Sequence, residues 1–178
     1  SDITELKQAQ LALEESKQEL EIQNKAYSRF VPREFLSFLQ KRSIVDVQLG
    51  DHVQKEMTIM FSDIRAFTAL SEKMTPTENF RFINSYLSKM EPVVLSHHGF
   101  IDKYIGDAIM ALFPHSADDA VRGAIDMLRT LSEFNQARQN ANTELIDIGI
   151  GLHTGILMLG TIGGETRMDG TVISDAVD

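Results

Sequence analysis

Hydrophobic residues recur with a seven-residue period at the start of the chain. The d positions of this period are Leu6, Leu13, Leu20 and Tyr27. Such a period predicts a coiled coil, although three of the four matching a positions are polar. Polar a positions fix the register and favour a two-stranded assembly. We therefore expect a dimeric, signal-carrying helix over residues 1–28, with a single exposed amphipathic helix as the alternative.

A connector with mixed signals follows over residues 29–55. The stretch SRFVPREFLSFLQ predicts a short amphipathic helix that begins at Pro32, and the pair Gly50-Asp51 predicts a turn. The next run, EMTIMF, is apolar without alternation, which is typical of a strand buried on both faces. We expect this strand to open a globular domain over residues 56–178.

Two helices with apolar faces are predicted inside the globular domain. Thr75 and Glu78 form a capping box around Pro76, which suits the first helical position. Ser116 is a suitable cap for the second helix. Spacings of three and four predict two buried faces: Phe80, Ile83, Leu87, Met90 and Val94, then Ala120, Ala124, Met127, Leu131 and Phe134.

Strand patterns fill the intervals around these helices. FIDKYIGDAIMALF predicts two strands joined at Gly106-Asp107, IDIGIGLHTGILMLGTIGG predicts a hairpin, and GTVIS predicts a further strand. The order strand, helix, strand, strand, helix, strand is the ferredoxin-like βαββαβ pattern of an α+β fold. We expect a two-layer sandwich with both helices on one face, and the other face free for a partner or a ligand.

The composition narrows the classes of partner and compartment. The chain has 26 acidic and 17 basic residues and a formal net charge of −9, which argues against non-specific nucleic-acid binding. It contains no cysteine, so a reducing, cytoplasmic location is expected. No stretch has the length and polarity of a signal peptide or a membrane span. If the parent protein is membrane-bound, we expect this chain on the cytoplasmic side.

Two aspartates stand where apolar strands meet turns. Asp63 follows the strand EMTIMF, and Asp107 lies in the turn of the next hairpin. These two strands are neighbours in a βαββαβ sheet, so the carboxylates can converge. Paired hard oxygen ligands suit Mg²⁺ or Mn²⁺. The alternative is that each aspartate only stabilises its own turn.

Other polar residues near these aspartates have two possible roles each. Phe67 and Thr68 begin a short helix whose N-terminal N–H groups favour phosphate, or Thr68 merely caps that helix. Lys103 lies between Ile101 and Ile105, where a lysine pairs, meets a ligand or is a plain edge-strand charge. The histidines at 97 and 98 are typical of a solvated helix end. His153 is typical of a structural strand residue.

Four motifs resemble the class III nucleotidyl cyclases, especially bacterial and cyanobacterial adenylate cyclases. They are FSDIRAFTALSEKMTP, GFIDKYIGDAIMALFP, IGIGLHTG and TVISDAV. The resemblance covers about residues 30–177 and implies the ferredoxin-like fold. No motif of the GGDEF-type diguanylate cyclases, which share that core, is found.

The resemblance implies a role for each matched residue. Asp63 and Asp107 match the two metal-binding aspartates, and the Ile64 carbonyl matches a backbone metal ligand. Phe67 and Thr68 match the backbone donors to the nucleotide phosphates. The matched base-specifying positions are Lys103 and Thr171. Thr at this second position resembles the subgroup that includes bicarbonate-responsive enzymes.

The implied reaction converts ATP to 3′,5′-cyclic AMP and pyrophosphate with two Mg²⁺ or Mn²⁺ ions per site. In this family each site forms between two protomers, so a homodimer with shared sites and an upstream sensor domain are the expected partners. Lys103 with Thr171 favours ATP over GTP. A guanylate cyclase and a catalytically silent nucleotide-binding and dimerisation module are the alternatives.

Two departures from the family pattern concern activity, and a third, at Ala66, is smaller. The family has Asn seven residues after the Thr171 position, where this chain has Asp178, and Arg four residues further on. Because the Arg position is missing, we expect the domain to be C-terminally incomplete. A missing charge-stabilising donor costs about 10²–10³ in rate, so we expect the chain to be weakly active or inactive as given. Ala66 stands where many relatives have Gly.

Overall fold

Two units make up the computed structural model, which describes residues 2–27, 29, 33–39, 49–164 and 167–173. The first unit comprises Ser1–Asp51 with Gly160–Gly170, and the second comprises His52–Leu159 with Thr171–Asp178. Two sequence predictions fall outside the described residues: the helix start at Pro32 and the family position matched by Asp178. The proposed domain boundaries at residues 28 and 55 remain a prediction.

The described residues of the first unit form two helices, α1 (Asp2–Tyr27) and α2 (Arg33–Phe38). The predicted N-terminal helix is confirmed, and its leucine series lies in solvent, with Leu6 65% exposed and Leu13 and Leu20 each 57% exposed. In this unit the Thr161 N–H also donates to the Asp51 carbonyl at 2.9 Å. Pairing of α1 with a second copy remains a prediction, supported by this row of exposed leucines.

The remaining elements give the predicted strand and helix order. The helices are α3 (Phe67–Glu72), α4 (Pro76–Ser96) and α5 (Ala117–Asn140), and the strands are β1 (His52–Ile64), β2 (Phe100–Ile105), β3 (Ala108–Phe113), β4 (Ile148–Gly164) and β5 (Arg167–Ile173). They form one sheet with strand order β2-β3-β1-β4-β5. The strand β3 is antiparallel to both β1 and β2. The ferredoxin-like α+β fold is therefore confirmed, with the predicted β1–β3 adjacency.

One face of the sheet, which we call the helix face, packs on α4 and α5. Met60 of β1 and its cross-strand partner Ala111 of β3 both lie in the core with residues of these helices. Because side chains alternate along a strand, Ile59 and its partner Leu112 point to the opposite, outer face. Both are nonetheless buried. The expectation of a free outer face is wrong at this part of the sheet, whereas the prediction of a strand buried on both faces is confirmed.

Helix α4 begins where its capping signal predicts. The Thr75 side chain accepts a hydrogen bond from the Glu78 N–H at 3.2 Å, and Pro76 is the first helical residue. The predicted apolar face is shifted at its start, because Phe80 is 70% exposed and Phe82 is buried instead. Phe82 lies 6.5 Å from the Phe67 ring and 6.1 Å from the Phe134 ring. Aromatic packing thus sets the buried face of α4.

Helix α5 and the preceding loop are fixed by close packing around Phe113. Ser116 caps α5 by accepting from the Asp118 N–H at 3.0 Å, as predicted. A Cβ on Gly99 would lie 2.5 Å from the Phe113 ring, and one on Gly123 would lie 3.3 Å from it. These glycines let α5 and the end of α4 approach β3.

The predicted hairpin in IDIGIGLHTGILMLGTIGG is wrong, since this stretch forms the single strand β4. A tight turn there needs glycines with positive φ. Only Gly163 has one among the described glycines of this stretch. The Thr154 hydroxyl instead lies 2.6 Å from the Thr58 hydroxyl of β1. No helix within the described ranges is long and apolar enough to cross a bilayer.

Candidate functional site

The Asp107 carboxylate is held against the end of β1. Its Oδ2 accepts a hydrogen bond from the Ile64 N–H at 2.8 Å. The turn between β2 and β3 makes this possible, because Gly106 adopts a φ of 59° that favours glycine. Ile64 follows Asp63 directly in the chain. The Asp107 carboxylate therefore lies beside the strand end that carries Asp63, which agrees with the predicted convergence of the two strands.

Asp63 is presented to solvent by a strand end that is anchored on both sides. Its neighbours Ser62 and Ile64 are 2% and 4% exposed, whereas Asp63 itself is exposed. Just beyond, the Arg65 N–H donates to the Asp147 carbonyl at 2.8 Å. Because the residues on either side are fixed, the Asp63 carboxylate projects from a rigid support.

A buried tyrosine lies close to both carboxylates. Burial, with a smaller contribution from the negative charges of Asp107 and Asp63, raises the pKa of the Tyr86 hydroxyl to about 12. The neighbouring Ser62 hydroxyl opposes this rise, although the two hydroxyls lie outside hydrogen-bond geometry. Neither hydroxyl has a hydrogen-bond partner among the described residues. Tyr86 therefore stays neutral beneath the carboxylate pair.

Tyr86 is a site neighbour that the sequence analysis missed. It stands on the buried face of α4, four residues from Phe82 and four from Met90. The sequence did contain a signal, since a tyrosine on an otherwise apolar helix face indicates a polar group nearby. Buried tyrosines usually place the hydroxyl beside such a group.

The short helix α3 starts beside this end of β1. Ala66 precedes it in the left-handed conformation, with φ 53° and ψ 35°, and no side chain caps the helix. The alternative in which Thr68 acts as the cap is therefore wrong, because Thr68 lies inside the first turn. The first N–H groups of an α-helix have no partner within the helix. The backbone of Phe67 and Thr68 is thus available to an anion.

Lys103 is displaced from the face that simple alternation predicts. Ile101 is opposite Ala111, but Lys103 is opposite Met110, so β2 contains one extra residue between them. Lys103 therefore points to the outer face with Ile105, and the prediction that it shares a face with Ile101 is wrong. Its Nζ lies 3.8 Å from a carboxylate oxygen of Asp102.

Asp102 is the extra residue, and it is buried. Its side chain is 3% exposed, compared with 35% for Lys103. Burial raises the pKa of Asp102 to about 6, and the Lys103 charge opposes this rise. Its Oδ2 has no hydrogen-bond partner among the described residues. Asp102 was not predicted as a site residue, because its only signal in the sequence was its position beside Lys103.

Thr171 lies in β5, and its side chain is outside the described residues.

The prediction that His97 is solvated is wrong, because its Nε2 lies 2.5 Å from Asp126 of α5. The hydrogen bond from His97, followed by that from Arg129, holds the pKa of Asp126 below its usual range. The His97–Asp126 pair joins the end of α4 to α5 and is not part of the candidate site.

The residues at the end of β1 fit a hard divalent cation better than zinc. The described part of the chain contains no group of three or more His, Cys, Asp or Glu side chains arranged around one point. Asp63 and Asp107 instead offer carboxylate oxygens, one of which is already oriented by the Ile64 N–H. Mg²⁺ is typically bound through one or two carboxylates plus substrate phosphates. The donor set is therefore suited to Mg²⁺ or Mn²⁺.

Known proteins resemble this chain in sequence and in fold. An adenylate cyclase of Anabaena cylindrica is 46% identical over 158 residues, which cover 86% of this chain and 32% of that relative. The chain thus spans about a third of that relative's length. The structure of a bacterial light-regulated adenylyl cyclase is similar, with a TM-score of 0.74 and 27% sequence identity. The similar region covers 93% of this chain and 49% of the cyclase chain.

A guanylyl cyclase, Cya2, is also similar in structure, with a TM-score of 0.64 and 35% sequence identity. The similar region covers 73% of this chain and 68% of the Cya2 chain. Residues 50–174 match the family described as the adenylate and guanylate cyclase catalytic domain. This match includes β1 through β5 and both aspartates. The chain belongs to the adenylate and guanylate cyclase catalytic domain family.

Proposed function

We propose that this chain is the catalytic region of an adenylate cyclase, which converts ATP to 3′,5′-cyclic AMP and pyrophosphate. The observation that carries the proposal is the hydrogen bond from the Ile64 N–H to the Asp107 carboxylate at 2.8 Å. It brings a second carboxylate to the strand end that presents Asp63. The similarity to an adenylate cyclase of Anabaena cylindrica supports the choice of reaction.

The proposed metal ligands are Asp63, Asp107 and the Ile64 carbonyl. The Asp63 side chain is exposed, and Asp107 has one carboxylate oxygen engaged by a backbone donor. When bound here, Mg²⁺ or Mn²⁺ supplies Lewis-acid activation of the ribose 3′-hydroxyl and charge neutralisation at the leaving pyrophosphate. The number of ions per site, two, belongs to the proposal.

The first turn of α3 is proposed to bind the nucleotide phosphates. The N–H groups of Phe67 and Thr68 lack acceptors within the helix, and the positive end of the helix dipole adds to their attraction for phosphate. The Phe67 ring packs against Phe82, at 6.5 Å between centroids. This packing holds the first residue of α3 against α4.

Lys103 and Thr171 are proposed to read the base. Lys103 is partly exposed on the outer face, the same face toward which Asp63 alternates. An ammonium group only donates hydrogen bonds. It therefore suits the N1 acceptor of adenine and opposes the N1–H donor of guanine. ATP is accordingly the proposed substrate.

The chain's own contribution to catalysis is positioning. Asp63 and Asp107 are held by the strand end and by the Ile64 N–H, and the first turn of α3 fixes the phosphates. Phosphoryl transfer of this type needs orientation and charge stabilisation more than a protein nucleophile. Neutral Tyr86 packs below the carboxylates without adding a charge.

A homodimer with sites shared between protomers is part of the proposal. The exposed leucines of α1 support it, because an exposed heptad series is stabilised by a second copy. An upstream sensor that acts through α1 is proposed on the same ground.

The test is a nucleotide cyclisation assay on the full-length protein with Mn²⁺ or Mg²⁺. We expect cyclic AMP from ATP, abolished by a chelator and restored by adding back the cation. Formation of no cyclic nucleotide under these conditions contradicts the proposal.

A guanylate cyclase is the second candidate, favoured by the similarity to the guanylyl cyclase Cya2 at 35% identity. The same assay separates the two candidates when ATP and GTP are compared at equal concentration. A higher rate with GTP than with ATP would establish the second candidate in place of the first.

A further inference from the structure

The edge strand β2 contains a β-bulge at Asp102. Across β2 and β3, Ile101 is paired with Ala111, and Lys103 is paired with the preceding residue, Met110. Asp102 is left without a partner on β3. A bulge of this kind bends the strand and redirects the side chains that follow it.

The bulge moves Lys103 to the other face of the sheet. Residues directly opposite each other on antiparallel strands share a face. Ala111 lies in the core on the helix face, so its partner Ile101 does too, and strict alternation would place Lys103 there as well. Lys103 instead shares the outer face with Met110 and with Phe61, the β1 partner of Met110.

Tyr104 supports this assignment independently. As the next residue, it should point to the helix face if Lys103 points to the outer face. Its hydroxyl donates a hydrogen bond to Glu91 of α4 at 3.2 Å. The bulge therefore decides where the Lys103 ammonium is presented.

The Asp102 carboxylate is poised to hold that ammonium in place. Its side chain is 3% exposed, and its Oδ2 lies 3.8 Å from Lys103 Nζ, at ion-pair distance. Oδ2 has no hydrogen-bond partner among the described residues. Burying a carboxylate with an unsatisfied oxygen is costly. A plain structural residue at the bulge would not need that charge.

We propose that Asp102 is a specificity-determining positioning residue, whose bulge and carboxylate hold the Lys103 ammonium on the outer face for recognition of adenine. This inference rests on the proposed function. Lysine has a long, flexible side chain, so a neighbouring carboxylate that restricts it reduces the entropy lost when the base binds. Asp102 acts through Lys103 and does not itself touch the reacting atoms.

The test compares Asp102→Asn with wild type in the full-length protein, using kcat/KM for ATP and for GTP. Asparagine keeps the shape and removes the charge. We expect the ATP-to-GTP ratio to fall about tenfold, mainly through a higher KM for ATP, which corresponds to about 1.4 kcal/mol of lost discrimination. Asp102→Ser, which also removes the charge, is expected to lower the ratio in the same direction.

A double-mutant cycle separates positioning from a general structural effect. In a Lys103→Ala background, Asp102→Asn should change the ratio less than about twofold, because the residue through which it acts is gone. Glu91→Gln is the matched control, since it removes a carboxylate that contacts the neighbouring Tyr104 from the helix face. That control should leave the ratio unchanged.

Three results would overturn the inference. The first is an ATP-to-GTP ratio of kcat/KM that neither Asp102 variant changes, although Lys103→Ala lowers it. That result would leave the proposed function standing. The second is an equal effect of Asp102→Asn with and without Lys103. The third is a wild-type protein that forms no cyclic nucleotide from ATP, which overturns the proposed function as well.

Discussion

The Asp107 carboxylate accepts a hydrogen bond from the Ile64 N–H at 2.8 Å, across 43 residues of chain. This contact joins the turn between β2 and β3 to the end of β1, where Asp63 stands. It orients one proposed metal ligand with the backbone of the residue that follows the other. The geometry of the carboxylate pair is thus built into the folded chain.

Removing the Asp107 acceptor should destabilise the fold. In Asp107→Ala the N–H of Ile64, a residue 4% exposed, loses its partner, so we expect a loss of about 1–2 kcal/mol in the free energy of unfolding. Asp107→Asn keeps an acceptor oxygen and should lose less than half as much. Urea denaturation measures both values. Equal losses in the two variants would show that the hydrogen bond does not stabilise the fold.

Ala66→Gly should stabilise the protein. Ala66 has a φ of 53°, and a left-handed conformation costs a residue with a Cβ about 1–2 kcal/mol. Glycine relieves this strain but loses more backbone entropy on folding, which leaves a net gain of about 0.5–1 kcal/mol. Ala69→Gly, inside α3, is the control and should destabilise by a similar amount. A destabilising Ala66→Gly would contradict the assigned conformation.

Asp102 should make stability depend on pH between about 4 and 6. Burial raises its folded-state pKa to about 6 from an ordinary value of 3.8, so the folded protein binds the proton more tightly than the unfolded chain. Its contribution is therefore most favourable below pH 4 and is lost as pH rises through 6. Asp102→Asn should raise the free energy of unfolding at pH 7.5 by up to about 3 kcal/mol, and by close to zero at pH 4. Denaturant curves at the two pH values measure this difference, and equal changes at both would contradict the buried, raised pKa.

Gly99→Ala should disturb the packing of Phe113. The added Cβ would lie 2.5 Å from the Phe113 ring, so the ring or the backbone must move, at a cost of about 1–3 kcal/mol. Gly151→Ala is the matched control, because nothing lies within 4 Å of a Cβ at that position. Thermal unfolding of both variants gives the comparison. Similar melting temperatures would show that Gly99 is not required for this contact.

The sequence predicted the fold and the position of each aspartate at a strand end because both rest on local signals. Capping at Thr75, the buried strand before Asp63 and the turn at Gly106 each depend on neighbouring residues. The errors arose where tertiary packing decides. Phe80 and Phe82 both fit a helical face, and only contact with Phe67 and Phe134 selects Phe82. The glycines of β4 permit a turn, but most of them adopt extended conformations.

The position of Lys103 could not be predicted, because a β-bulge leaves no pattern in a short strand. One inserted residue reverses the faces of all later side chains. The sequence placed Lys103 with Ile101, whereas the register with β3 separates them. Tyr86 and Asp102 were missed for a related reason, since their surroundings come from distant parts of the chain.

The most direct test of the proposed site is the initial rate of cyclic AMP formation from ATP by the full-length protein with saturating Mn²⁺. We expect Asp63→Asn and Asp107→Asn each to lower kcat by about 10²–10³, because each removes a carboxylate from the proposed ligand pair. Asp118→Asn, the same change in the exposed first turn of α5, should retain the wild-type rate. Wild-type activity in either site variant would contradict the proposed two-carboxylate cyclase site.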